Sequence, residues 1–303
     1  MDDQIRELNL FQRNARKLVI VPMMAGASSV VFIRFIQASP IALGFFRLGF
    51  SVLLFGIPIV FGGYKEYKGI TKKDFLFCVL SGFILFVHFI CWFYAVNNTS
   101  VASAAVLCSL HPFVVLFATY VIFKKKVSIK AVIGVIIALT GGALVATGNQ
   151  TLEGNFIFGD IAGFSAGVLF GIYFLMGRTM REKMPTLNYV FIVFSSCFVF
   201  FAIAMFVTAT PFTGYRTEDY VLMFLIAVVC QGLAHAMYNW CMGYASSLYV
   251  SVFASVQSVA SIFYGIIVFN EIPVILQWIG AAVAVAGLLY YNFNSQEMPK
   301  IKK

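Results

Sequence analysis

The chain is 303 residues long, 61% apolar and only 11% charged, where a soluble domain carries roughly 25% charged residues. That balance excludes a water-soluble globular protein, and the short polar breaks leave no room for a soluble catalytic domain. The net charge of +9 does not argue for nucleic acid, because the basic residues cluster beside helix ends and form no aromatic-interleaved patch.

Stretches of roughly 20 apolar residues, enough to cross about 30 Å of hydrocarbon at 1.5 Å per residue, predict ten membrane-spanning helices and an all-α integral membrane protein. The first, 17–36, holds Arg34 near its end, where an interfacial anchor is expected. The second, 40–61, opens on Pro40 and carries Arg47 about two turns in, close enough to the helix end to snorkel outward and also placed to meet a substrate carboxylate. The third, 75–96, sets His88, Cys91, Trp92 and Ala95 on one face by their three- and four-residue spacing. The fourth, 100–122, has His111 at its centre just before Pro112, and the fifth, 129–147, carries Gly134, Ala138 and Gly141 at the spacing of close helix packing. The sixth and seventh, 159–178 and 187–208, hold few polar side chains. The eighth, 220–243, bears a stripe of Gln231, His235, Tyr238, Asn239 and Met242, and the ninth, 246–269, bears Gln257, Ser258, Ser261 and Tyr264. The tenth, 274–292, repeats the small-residue spacing as Gly280, Ala284 and Gly287, so the fifth and tenth helices form either a scaffold seam or the seam of a homodimer.

Basic residues fix the expected topology. Arg6, Arg13, Arg16 and Lys17 precede the first span; Lys65, Lys68, Lys72 and Lys73 follow the second; Lys124 to Lys126 and Lys130 follow the fourth. Arg178, Arg181 and Lys183 follow the sixth, and Lys300, Lys302 and Lys303 end the chain. All of these share one side when the amino terminus is cytoplasmic, which places both termini in the cytoplasm of a multi-pass plasma-membrane protein. The six cysteines lie within spans, show no metal spacing and read as small packing residues.

The chain is also written twice. A shift of 146 pairs Ser109 with Ser255, Phe117 with Phe263, Gly134 with Gly280, Ala138 with Ala284 and Gly141 with Gly287; a shift of 145 pairs Gly26 with Gly171 and Pro40 with Pro185. Two repeats, 1–148 and 149–303, therefore hold five spans each. Five being odd, the second must enter the membrane inverted, an arrangement found in secondary transporters whose site lies at the midplane between the halves. Lys125 falls opposite Glu271, as expected of copies tuned to opposite faces.

On Pro40 followed by Arg47, on SVASAAVLCSLHP at 100–112, and on KKKVSIKAVIGVIIALTGGAL mirrored by NEIPVILQWIGAAVAVAGLL, the chain resembles the EamA-type ten-helix branch of the drug/metabolite transporter superfamily. The resemblance implies a central cavity lined by the first, third and fourth helices of each half, and transport of small metabolites, often amino acid export. The chain departs from the family pattern at Lys125, where a glutamate is usual, and in lacking a tryptophan near Ala25 and Gly26.

Polar residues within spans are functional candidates by default. The substrate-site candidates are Arg47, His88, Trp92, His111, Gln231, His235, Tyr238, Asn239, Gln257, Ser261 and Tyr264. The repeat sets Trp92 opposite Tyr238 and His111 opposite Gln257, while His88 and His235 fall one position out of register. There is no carboxylate deep in a span, no nucleotide-binding loop, no metal-ligand pair and no nucleophile motif, so no cofactor, metal or enzymatic activity is expected. Neutral imidazoles, amides and aromatic walls suit a small neutral or zwitterionic metabolite, an amino acid or a relative, with any proton coupling assigned to the histidines. An aromatic cage for a quaternary amine and a channel-like facilitator remain the alternatives.

Overall fold

The computed structural model describes residues 14–62, 70–121, 124, 128–149, 156–245 and 247–294. It is all α-helical over these residues, with eight helices long and apolar enough to cross a membrane and two shorter apolar ones. In chain order α1 is built from Ala15–Leu18, Ile20–Ala27 and Ser29–Phe35; α2 is Pro40–Val60 and α3 is Lys72–Asn98. The fourth, α4, joins Val101–Cys108 to Pro112–Val121; α5 is Ile129–Asn149, α6 Ile157–Arg181 and α7 Thr186–Val207. Then α8 covers Thr217–Cys241, α9 is Ser247–Phe269 and α10 is Ile275–Asn294.

Local chemistry sets the boundaries. At α3 the Thr71 hydroxyl accepts from the Asp74 amide while Asp74 accepts from the Thr71 amide, a capping box that starts the helix three residues before the apolar run. Ser39 caps α2 ahead of Pro40, whose missing N–H is harmless in the first turn. Pro112 has the opposite effect in mid-span, splitting α4 and leaving Ser109, Leu110 and His111 between its two pieces. In α8 the backbone widens into a π-helix over Ala227–Ala236.

The inversion is visible in how counterpart helices meet. A methyl at Gly134 would stand 2.8 Å from the carbonyl oxygen of Gly287, and one at Gly280 would stand 2.7 Å from that of Gly141. Low numbers in α5 thus pair with high numbers in α10, so these two copies of one helix run antiparallel with their backbones in contact. Exchanging the halves turns the first contact into the second, as a pseudo-twofold axis between them requires. The same antiparallelism relates α1 to α6: Arg34, at the end of α1, donates to the Thr99 carbonyl, and the Thr99 hydroxyl donates to Asp160 at the start of α6. The small-residue faces assigned to a scaffold or a homodimer are therefore spent within one chain, which removes them as an intermolecular seam.

Lipid-facing positions such as Leu53, Leu76, Phe206 and Ile267 are exposed, while Ser81, Asn188, Gln231 and Asn239 are buried. The polar groups have been drawn inward, as hydrocarbon surroundings demand. Glu271 and Asp160 hold helix ends together: Glu271 accepts from the Val101 amide at 2.9 Å, and Asp160 from the Thr99 and Ser103 hydroxyls, each at 2.6 Å. Arg34 is more than an interfacial anchor, because it pairs with Glu271 and donates to the Val96 and Thr99 carbonyls, each at 3.0 Å. Lys125 and the basic residues Arg6, Arg13, Lys65, Lys68, Lys126, Lys300, Lys302 and Lys303 lie outside the described residues.

Candidate functional site

Between the halves lies a cavity of about 50 Å³, room for only a few waters at ~10–15 Å³ each. Its walls come from α1, α3 and α4, from α6, α8 and α9, and from one residue of α2. First, third and fourth helices of each half thus line it together, as the family resemblance implied.

The glycines of the repeat make this convergence possible. A side chain at Gly26 would collide with the carboxamide of Gln257, and one at Gly171 would come within 2.9 Å of the His111 carbonyl oxygen and 2.7 Å of Val114. Gly26 and Gly171 are counterparts, and so are Gln257 and His111. The first helix of each half therefore gives up its side chain so that the fourth helix of the other half can bring in its polar residue.

The break in α4 places His111. Its Nε2 lies 3.0 Å from the Ser251 carbonyl of α9, and the Ser255 hydroxyl donates to the Ser109 carbonyl at 2.6 Å. At the break the Ser109 carbonyl thus finds a partner across the axis in the hydroxyl of its counterpart Ser255, while the Cys108 carbonyl, which loses its donor to Pro112, lies 3.3 Å from His111 Nδ1. On α3, His88 has its Nδ1 2.9 Å from the Ala166 carbonyl. As a donor there it keeps Nε2 as a free acceptor.

All three histidines gather around one ring. The Phe170 centroid lies 5.0 Å from that of His88, 5.1 Å from His111 and 5.4 Å from His235. The one-residue offset between His88 and His235 does not separate them, for their rings are 6.3 Å apart, and the α8 segment that carries His235 is the π-wound one. Trp92 and Tyr238 also line the cavity, and the Tyr238 hydroxyl donates to Gln257 at 3.2 Å. Ser261 donates to the Ala27 carbonyl at 3.3 Å.

Arg47 corrects the snorkelling expectation. It is 1% exposed, points inward, donates through Nε to Gln231 at 3.1 Å, and rests its guanidinium 4.2 Å over the Phe89 ring. Three other candidates do not reach the cavity wall. Gln231 stands behind Arg47; Asn239 is committed to the Tyr173 hydroxyl and the His235 carbonyl at 2.6 and 2.8 Å; Tyr264 packs half-buried against the core. Phe170 and Phe89 were not singled out from the sequence. The signal for Phe170 was its flanking pair Gly167 and Gly171, which let α6 approach the Cys108 and His111 carbonyls.

Among the described residues no group of three or more His, Cys, Asp or Glu side chains is arranged to hold a metal. What the arrangement offers is a small, mixed aromatic and polar chamber at the contact of two inverted halves.

The profile of the EamA-like transporter family matches the chain twice, over residues 16–147 and 157–293. The chain is 24% identical over 278 residues to an uncharacterized transporter, YetK, of Bacillus subtilis (strain 168), covering 88% of this chain and 82% of that protein. It is 24% identical over 285 residues to an uncharacterized transporter of Archaeoglobus fulgidus, covering 89% and 94% respectively. A crystal structure of 14% identity superposes with a TM-score of 0.69 over 93% of this chain and 97% of the other, a likeness of fold.

Proposed function

The chain belongs to the EamA-like transporter family, and from that premise we propose that it carries a small neutral or zwitterionic metabolite, an amino acid or a close relative, across the plasma membrane by alternating access. The working direction in this reading is export or exchange. The observation that carries it is the chamber itself: three imidazoles around Phe170, with Trp92, Tyr238, Gln257 and Arg47, enclosed between two inverted halves. A pore would need a continuous polar stripe through several helices, whereas the three imidazoles here gather at one depth around Phe170. The repeats divide at 1–148 and 149–303, each contributing one set of cavity helices. Both termini are cytoplasmic, supported by Lys72, Lys73, Lys124, Lys130, Arg178 and Lys183, which lie at the helix ends and connections that this topology sets inside. A homodimer over α5 and α10 would use their outer faces, where Ile133, Ile136 and Ile279 are exposed.

The test is counterflow in liposomes with each of the twenty amino acids and their 2-oxo acids. Saturable, stereoselective exchange supports the reading; ion conductance without saturation overturns it in favour of a channel. Any proton coupling falls to His88, His111 and His235. An imposed pH gradient then accelerates accumulation, and indifference to pH between about 5.5 and 8 assigns facilitated diffusion instead.

A further inference from the structure

The cavity holds a cation with no anion to meet it. Arg47 is 1% exposed at mid-bundle, and its Nη1 has no hydrogen-bond partner. Among the described residues no carboxylate pairs with it. Asp219 accepts from the Gln37 amide at 3.0 Å and Glu271 is taken by Arg34 and the Val101 amide; both lie at helix ends. The Phe89 ring at 4.2 Å, with Phe93 at 5.9 Å, offers only quadrupole attraction. A guanidinium in such surroundings bears a desolvation cost that these contacts offset only in part.

The neighbours deepen the imbalance. Gln231 spends its oxygen on Arg47 Nε, leaving its Nε2 without a partner, and His235, beside Phe89, has an unpartnered Nδ1. Arg47 Nη1 and Gln231 Nε2 are thus two donors without an acceptor on neighbouring side chains. Arginine presents its donors in a plane that matches a carboxylate, and a second cation brought here would meet repulsion in a low-dielectric site.

Resting on the transporter reading and narrowing its substrate class, we propose that the substrates are organic carboxylates, zwitterionic amino acids among them, seated with the carboxylate against Arg47 Nη1 and the body against the aromatic wall. A zwitterion is admitted because His88 Nε2 remains an acceptor for its ammonium group. Organic amines and quaternary amines are refused, which sets aside the aromatic-cage alternative.

The experiment is a thermal-shift and titration series on the purified full chain. The probes are acetate, propionate, phenylacetate, 3-phenylpropanoate, indole-3-acetate and the twenty amino acids, each beside its primary amide and the matching amine. Sodium chloride at equal ionic strength is the control. At least one acid should stabilise the wild type while its amide and amine do not, and Arg47→Gln should remove that response. Arg47→Lys, which keeps the charge but not the planar fork, should weaken binding about tenfold or more. Stabilisation by no acid, equal stabilisation by amides, amines or chloride, or an unchanged response in Arg47→Gln overturns the subsite. If Arg47→Gln does not fold, the acid against amide comparison in the wild type decides alone. Flux measured with the same compounds separates the two readings. Acid binding without flux sinks the transport reading and keeps the subsite, and equal flux of acids and amines does the reverse.

Discussion

If the face of the bundle that carries Arg34 must open during transport, Glu271 holds it shut, and neutralising Glu271 should release it. Arg34 ties the end of α1 to the end of α3 through the Val96 and Thr99 carbonyls, and Glu271, just past α9, ties Arg34 to the first amide of α4. In Glu271→Gln the bond from the Val101 amide loses its charge assistance, the pairing with Arg34 keeps only that of the guanidinium, and the single amide oxygen serves one donor well. Charge-assisted bonds contribute ~1.5–3 kcal/mol against ~0.5–1.5 kcal/mol for neutral ones. Because the Glu271 side chain is 34% exposed, solvent screening trims the loss to about 1–2 kcal/mol. That corresponds to roughly a five- to thirtyfold larger open population at this face. Cys108 and Cys230 line the cavity and serve as native reporters once Cys78, Cys91, Cys197 and Cys241 are replaced by alanine. Their labelling by a membrane-impermeant thiol reagent, added on the Arg34 side, should accelerate by that factor. A rate within about twofold of the parent, below the smallest effect worked above, in a variant of unchanged melting temperature would refute the lock.

Three further outcomes test the frame and the site. His111→Ala removes the Nε2 contact with the Ser251 carbonyl of α9, which keeps its bond from the Ser255 hydroxyl, so flux should fall about two- to tenfold for the loss of one hydrogen bond of ~0.5–1.5 kcal/mol; liposome uptake at equal protein density measures it, and unaltered flux would return His111 to a packing role. Trp92→Ala should raise the half-saturation concentration about fivefold or more with little change in maximal rate, since it deletes wall contact that substrate and transition state share; an unchanged constant would remove Trp92 from the wall. Gly141→Leu drives a side chain into the α10 backbone at Gly280 and Ala284. It should destabilise the protein by at least ~1–3 kcal/mol, read as a lowered melting temperature in detergent, and a wild-type value would contradict backbone contact between these helices.

The ten helices were legible because hydrocarbon thickness imposes their length and because the repeat preserves its glycines. Gly134, Gly141, Gly280 and Gly287 sit at backbone contacts that admit no Cβ, and such positions keep their identity in both copies. The interruption of α1 at Ser28 and the π-wound stretch of α8 were not legible, since neither has a proline beside it, whereas Pro22 in the turn after the interruption at Val19 was a signal left unread. The histidines could be read because a polar group in lipid is rare enough to carry meaning alone. Phe170 could not be, as one phenylalanine among 34. Arg47 was misjudged for a different reason: sequence gives its depth along α2, but rotation about the helix axis is set by packing. Phe89, stacked 7° from parallel on Phe93, provides the surface that turns it inward.

The frame is symmetric and its contents are not, and that contrast bears on how it can move. The α5–α10 pair is fixed by backbone contacts on the axis, where even a methyl group would force separation, so relative motion must fall on the remaining helices. Three of those that line the cavity are irregular: α1 in three pieces, α4 broken before Pro112, α8 π-wound over ten residues. Irregular backbone at membrane depth is tolerated where it is buried in protein or lines a cavity, and it supplies the local give that a straight helix lacks. Two closures of such a frame related by the twofold axis would be equal in energy if the repeats were identical. They are not: Arg47 faces the cavity from one half, whereas the matching position of the other, Ile192, is a buried isoleucine. A carboxylate bound at Arg47 therefore interacts unequally with the two halves, and differential binding of this kind is what allows a ligand to bias one closure over the other.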